Sequence, residues 1–192
     1  IKVNDAAIQP SDRAAADEIQ RWVEADVLKR DKAPSIYVYA QDYKDLKGKP
    51  ASRVGFISLM KIDLKKVKKH EHTLAGPKVD RTNLMETLRA QLSPIFGMFR
   101  DPKGTAHAEL KKLAKAKPDI DVTVSGVRHR FFAVSDPAAI ARISKAVAAQ
   151  NMYIADGHHR FEVACEYYKR HAKDASLAQK GVVLTYLCDA FR

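Results

Sequence analysis

Two short stretches carry side chains whose types and spacing suit chemistry: His70-Glu71-His72-Thr73, and Asp156-Gly157-His158-His159-Arg160. The second follows the apolar run Tyr153-Ile154-Ala155 and leads into a helical pattern that reaches about His171. It therefore reads as a strand-to-helix junction. The first amides of a helix have no intrahelical acceptor, and the macrodipole favours an anion there. Gly157 permits close approach of the backbone, Arg160 offers a forked guanidinium, and His158 and His159 supply donors or a proton shuttle. Phosphate is the anion that this set suits. Asp156 has two readings: an N-cap for the helix, or a carboxylate for magnesium or a substrate ammonium.

In the first stretch a carboxylate stands between imidazoles, an arrangement that tunes proton affinity toward neutrality, so Glu71 with His70 and His72 is the candidate for general base catalysis. His70 and His72, two apart on an extended segment, would also project to one side as zinc ligands do. The order is not His-Glu-x-x-His, however, and no third ligand is evident nearby. His129, between Arg128 and Arg130, reads as a sheet-face residue, and His107 and His171 read as exposed helical positions. No P-loop, dinucleotide-binding glycine fingerprint or nucleophile elbow is present, so phosphate chemistry would use another cradle.

The elements that must position these residues follow from periodicity. Ser11 and Asp12 cap an amphipathic helix expected to run to about Arg30, with Trp22, Val23 and Val27 on a stripe that packs. Ile36-Tyr37-Val38-Tyr39 and Arg53 to Leu59, separated by Lys47-Gly48-Lys49-Pro50, predict a hairpin. Asp80 opens a helix carrying Leu84, Leu88 and Leu92. Ser93 to Phe99 predicts a short strand, Ala106 to Lys115 an exposed helix, and 120–124 with 127–134 two strands around Ser125-Gly126. Asp136-Pro137 starts a further helix with Ile140, Ile143 and Val147 on one face. Val182 to Cys188 is the last strand.

With 192 residues and 46% hydrophobic content the chain can bury one sizeable core. No stretch approaches the roughly 18 to 20 apolar residues of a membrane span, and no signal peptide opens it, so a cytoplasmic protein is expected. Cys165 and Cys188 lack metal-ligand spacing and read as buried thiols. The net charge of +11 is concentrated at Lys61 to Lys69 and Lys111 to Lys117. It is compatible with a nucleic-acid partner, but lysines without interleaved aromatics favour solvated helix faces. The leading Ile and the late position of the last strand suggest a fragment of a longer protein.

The segment 153–162, together with His70-Glu71-His72-Thr73, Asp80-Arg81 and Ser93-Pro94-Ile95-Phe96-Gly97 in that order, resembles the bacterial family labelled domain of unknown function 1015. That family in turn resembles the ParB and sulfiredoxin superfamily, which includes free-serine kinases. The resemblance implies an α+β fold, with a small mixed sheet and helices, an added hairpin, and an inserted αβ segment at about 100–150. The resemblance spans roughly Pro34 to Cys188, and one domain over 1–192 is expected, in which 1–64 supply the helix and hairpin and 65–192 the core. It also implies phosphoryl transfer from ATP or ADP, with magnesium, to free L-serine or a similar hydroxyl. Glu71 would be the base, and Asp156, Gly157, His158, His159 and Arg160 would hold substrate or nucleotide phosphate. The alternative is a ParB-like switch that binds CTP and, through its lysines, DNA.

Overall fold

In the computed structural model, which describes residues 10–71, 75–176 and 181–191, the chain is an α+β fold of five described helices and one mixed sheet. The sequence order is α1 (Pro10–Glu24), β1 (Ile36–Lys44), β2 (Pro50–Lys61), β3 (Val67–Lys68), α2 (Ala75–Leu88), β4 (Ile95–Phe99) and α3 (Thr105–Leu113). β5 (Ile120–Val124), β6 (Val127–Val134), α4 (Pro137–Ala148), β7 (Met152–Asp156), α5 (His158–Arg170) and β8 (Val182–Asp189) follow. The eight strands lie in the order β3-β7-β4-β8-β2-β1-β6-β5. The β3/β7 and β4/β8 pairs are parallel, and the others are antiparallel.

The sheet is larger than the small core the resemblance implies, because the hairpin and the inserted strands join it. β2 hydrogen-bonds along β8, and β1 pairs with β6, so that Val38 sits opposite both Phe56 and Phe132. Alternation then sorts the side chains. Ile36, Val38 and Ala40 point to the helix-covered face, where they join Phe56, Phe132, Ile95, Phe99, Ile154 and Leu187 in one core. Leu110 of α3, Ile143 of α4 and Phe161 and Tyr167 of α5 close it from above. Each such side chain taken fully out of water contributes roughly 1.5–3 kcal/mol, which is ample to fix the strand register.

α4 begins as expected: the Asp136 carboxylate accepts from the amides of Ala138 at 3.0 Å and Ala139 at 3.3 Å, with Pro137 in the first turn. Asp136→Ala is expected to lower stability by about 1 kcal/mol in urea unfolding, since both amides would lose their acceptor.

Four expectations are corrected. α1 ends at Glu24 rather than near Arg30, and none of its residues is buried; Trp22 and Val23 stay exposed. Periodicity specified the helix, but its contact with α2 (Ala75–Leu88) buries none of its residues fully. The lysines from 61 to 69 are not on a helix: Lys61 ends β2, Asp63 accepts the amide of Lys65 in a turn, and Lys68 lies in β3. Lys111 and Lys112 do lie in the last turn of α3. Leu92 falls beyond α2, in an exposed loop. His171, expected to be free on a helix surface, is paired with Glu86 at 2.6 Å, and His107 is half-buried. No described helix is long and apolar enough to cross a membrane.

Candidate functional site

β3 and β7 run parallel, so the chain leaves both at the same end of the sheet, and β4, antiparallel to β7, enters there. His70 and Glu71 come one residue after β3, Asp156 ends β7 with 157–160 following it, and Ser93 and Pro94 precede β4. Topology thus gathers three motifs that are far apart in sequence. His72 lies outside the described residues.

Gly157 makes the corner. Its φ of 94° is in the left-handed region, and a Cβ there would lie 2.8 Å from Ile95 Cγ2 and 3.1 Å from Arg160 Nε, so only glycine fits the turn without displacement. Asp156 is not the helix cap. Gly157 occupies that position and, having no side chain, offers the first turn of α5 no side-chain cap. The amides of that turn and the positive end of the α5 dipole therefore face the junction.

Arg160 is held more firmly than a free anion clamp. One terminal nitrogen donates to Ser93 Oγ at 3.0 Å and to the Pro94 carbonyl, and the other to Asp156. The residue thus ties the end of β7 to the start of β4, while Asp156 stays largely exposed to solvent. Behind Arg160 a cleft of about 90 Å³ opens toward Arg81, Gln91 and Ser93.

His158, 3% exposed, turns away from this corner and onto the β3 segment. Its ring meets that of His70 edge to face at 4.6 Å, and its Nδ1 lies 3.3 Å from Glu71 Oε2. Burial, and behind it the like charge of His70, holds the His158 pKa below its ordinary value of 6.5 against the opposing pull of Glu71 and Asp156. The neutral ring with its proton on Nδ1 is the form that can donate to the Glu71 carboxylate and orient it. Nε2 of His158 and Nδ1 of His159 are buried without a hydrogen-bond partner among the described residues.

This depression has a measurable consequence. An unfolded chain takes a proton at this histidine near 6.5 whereas the folded one resists it, so protons favour the unfolded state. Stability to urea should fall as the pH drops through and below 6.5, and His158→Asn should flatten that part of the profile.

Sequence reasoning missed a cationic pair beside the site. Lys69 Nζ at 2.6 Å and Lys78 Nζ at 2.5 Å both bind the Glu162 carboxylate on the first turns of α5. Farther along, Glu86 pairs with Arg170 at 2.9 Å, eight positions beyond Lys78 and Glu162 in each helix. α2 and α5 therefore run side by side in the same direction, and both positive ends lie at the motif end of the sheet. The only sequence signal was position: Lys69 abuts His70, and Glu162 ends the second motif. The larger cavity, about 360 Å³ between β2, β3 and α4, holds none of the motif residues.

The family model for the protein of unknown function DUF1015 matches residues 2–192. The chain belongs to that family. No curated protein and no solved structure matches it. In this DUF1015 protein the residues brought together are His70, Glu71, Asp156, Gly157, His158 and Arg160, with Lys69, Lys78 and Glu162 around them. The two cysteines are apart from this chemistry: burial pushes both thiols up to about 11, which keeps them protonated and unreactive.

Magnesium favours oxygen ligands, keeps several waters and needs only one or two carboxylates beside substrate phosphates. The side chains of Asp156, 73% exposed, and Glu71, 56% exposed, fit that donor chemistry at the same end of the sheet. No cluster of three or more His, Cys, Asp or Glu side chains suited to a metal ion occurs among the described residues.

Proposed function

We propose that the protein transfers a phosphoryl group from ATP or ADP to the hydroxyl of a small molecule in the cytoplasm, on a ParB/sulfiredoxin-like core. Free L-serine is the acceptor that the family resemblance implies. The observation that carries the reading is the Glu71 carboxylate, oriented by a buried neutral His158, beside the uncapped start of α5. A base and an anion cradle within one corner are the two parts that such a transfer needs.

Glu71 takes the proton of the acceptor hydroxyl as its oxygen bonds to the terminal phosphorus, and the bond to the bridging oxygen breaks to leave ADP or AMP. The amides of the first α5 turn stabilise the oxygens of the moving group, and Lys69 and Lys78 add positive charge at the two helix ends. Arg160 keeps the β7 and β4 ends in register around that cradle. Magnesium, held by Asp156 together with the phosphates, would supply further charge neutralisation.

The test is incubation of the protein with magnesium, each of ATP, ADP and CTP, and a panel of free amino acids, read by phosphorus NMR. Phosphoserine is the expected product. Nucleotide binding with no phosphorylated acceptor, above all of CTP, would replace the transfer by the switch.

A further inference from the structure

The sheet face opposite the helices bears a connected set of flat groups that the corner chemistry does not use. The core of α3, α4 and α5 draws only on the other face. Pairing places Phe96 of β4, Tyr186 of β8, Tyr39 of β1 and Arg53 of β2 together on this one. Phe96 and Tyr186 lie 5.4 Å apart between centroids and Tyr39 meets Tyr186 edge-on at 5.5 Å, while the Arg53 guanidinium carbon sits 5.3 Å from the Phe96 centroid. Tyr186 can lie flat because Gly55 leaves room, a Cβ there falling 2.5 Å from its ring. Arg53 is fixed from the side by donating to Gln41 Oε1 at 2.6 Å.

Phe96 is also the β4 partner of Asp156, the carboxylate that opens the anion corner, across a register shift between Phe96 and Gly97. Neighbouring strands are about 4.8 Å apart, a span that the sugar of a nucleotide bridges. The positions of β1, β2, β4 and β8 that share this face include Arg53 and Lys61 and no carboxylate. An aromatic ring and a guanidinium plane, one strand from a phosphate cradle, match a nucleobase carrying phosphates.

We propose that Phe96 and the Arg53 guanidinium form the base-binding half of the nucleotide site, stacking the base while the start of α5 takes the phosphates. This rests on the nucleotide reading above and adds the part of the ligand that phosphate contacts cannot distinguish. The Arg53 plane lies between Phe96 and the base or beside it, and in either position both groups contribute to the stack.

The experiment is calorimetric titration of the full chain, with magnesium, by ATP and by inorganic tripolyphosphate. The expected result is ATP affinity about tenfold or more above that of tripolyphosphate, an advantage lost in both Phe96→Leu and Arg53→Gln. Phe96→Leu keeps apolar bulk, so it should fold, and its tripolyphosphate affinity should match that of the parent. An ATP advantage that survives both substitutions overturns the proposal. Equal affinity of the parent for both ligands overturns it while leaving the phosphate cradle standing, and binding of neither overturns the cradle as well. A single-stranded oligonucleotide bound more tightly than ATP, and weakened by Phe96→Leu, overturns it in favour of a nucleic-acid surface.

Discussion

Glu71→Gln is expected to cut turnover by about 10²- to 10⁴-fold while leaving the nucleotide dissociation constant within about threefold of the parent value. The amide keeps the size of the carboxylate and can still meet His158, but it cannot take a proton from a hydroxyl. Because the side chain is 56% exposed, its replacement should not disturb folding, and thermal unfolding of the variant should superimpose on that of the parent. Single-turnover kinetics with phosphorus NMR separates the outcomes. A fall in rate with binding intact supports a proton-transfer role; unchanged turnover removes Glu71 from the base position, and a parallel loss of binding would make it a ligand of the nucleotide instead.

Gly157→Val is expected to lower stability by about 2 to 5 kcal/mol and to abolish phosphate binding in whatever fraction folds. Two terms add. A β-branched residue at φ 94° is strained by at least 1–2 kcal/mol, and its Cβ would press on Ile95 Cγ2 at 2.8 Å and on the Arg160 guanidinium. Ile95 is wholly buried, so relief must come from Arg160. Moving Arg160 releases the Pro94 carbonyl and the Ser93 hydroxyl and loosens the corner. Urea unfolding gives the stability change, and calorimetry with tripolyphosphate gives the binding change. Gly157→Val with native stability and native affinity would mean that the corner does not need its glycine.

The parts of this site that were legible in the sequence are the local ones. The strand-to-helix junction after Tyr153-Ile154-Ala155 reads correctly, apart from its cap, because a short apolar run, a glycine and a helical pattern follow one another within a few residues, and the junction depends on nothing distant. Glu71 was legible as a candidate base by residue type, but its orientation by His158 was not, since that contact needs β3 to pair with β7. Glu162 with Lys69 is a contact across 93 residues, which no periodicity encodes. Similarly, the lysines from 61 to 69 have spacings that suit a helix face. The register of Val67 against Met152 and the Asp63 turn decide instead for a strand. The α1 stripe shows the reverse case, a correct local pattern whose contact with α2 leaves Trp22 and Val23 exposed. Arg160 was read as a clamp for phosphate because guanidinium suits phosphate, yet Ser93, Pro94 and Asp156 already engage it.

β8 lies between β4 and β2, and among the described strands it alone joins the β3-β7-β4 group to the β2-β1-β6-β5 group. Its partners Ile57 and Phe96, opposite Tyr186, come from segments synthesised long before it. During translation each group can begin to form separately, but they share a sheet only once Val182–Asp189 has left the ribosome. Until then β2 and β4 present unpaired edges beside apolar side chains, the type of surface that chaperones bind. The high sequence separation of these pairings also places the molecule among slow folders, with loop closure over more than a hundred residues preceding the last ladder. The candidate corner, at the ends of β7 and β4, is thus held in its final setting by β8, the latest in sequence of the described strands.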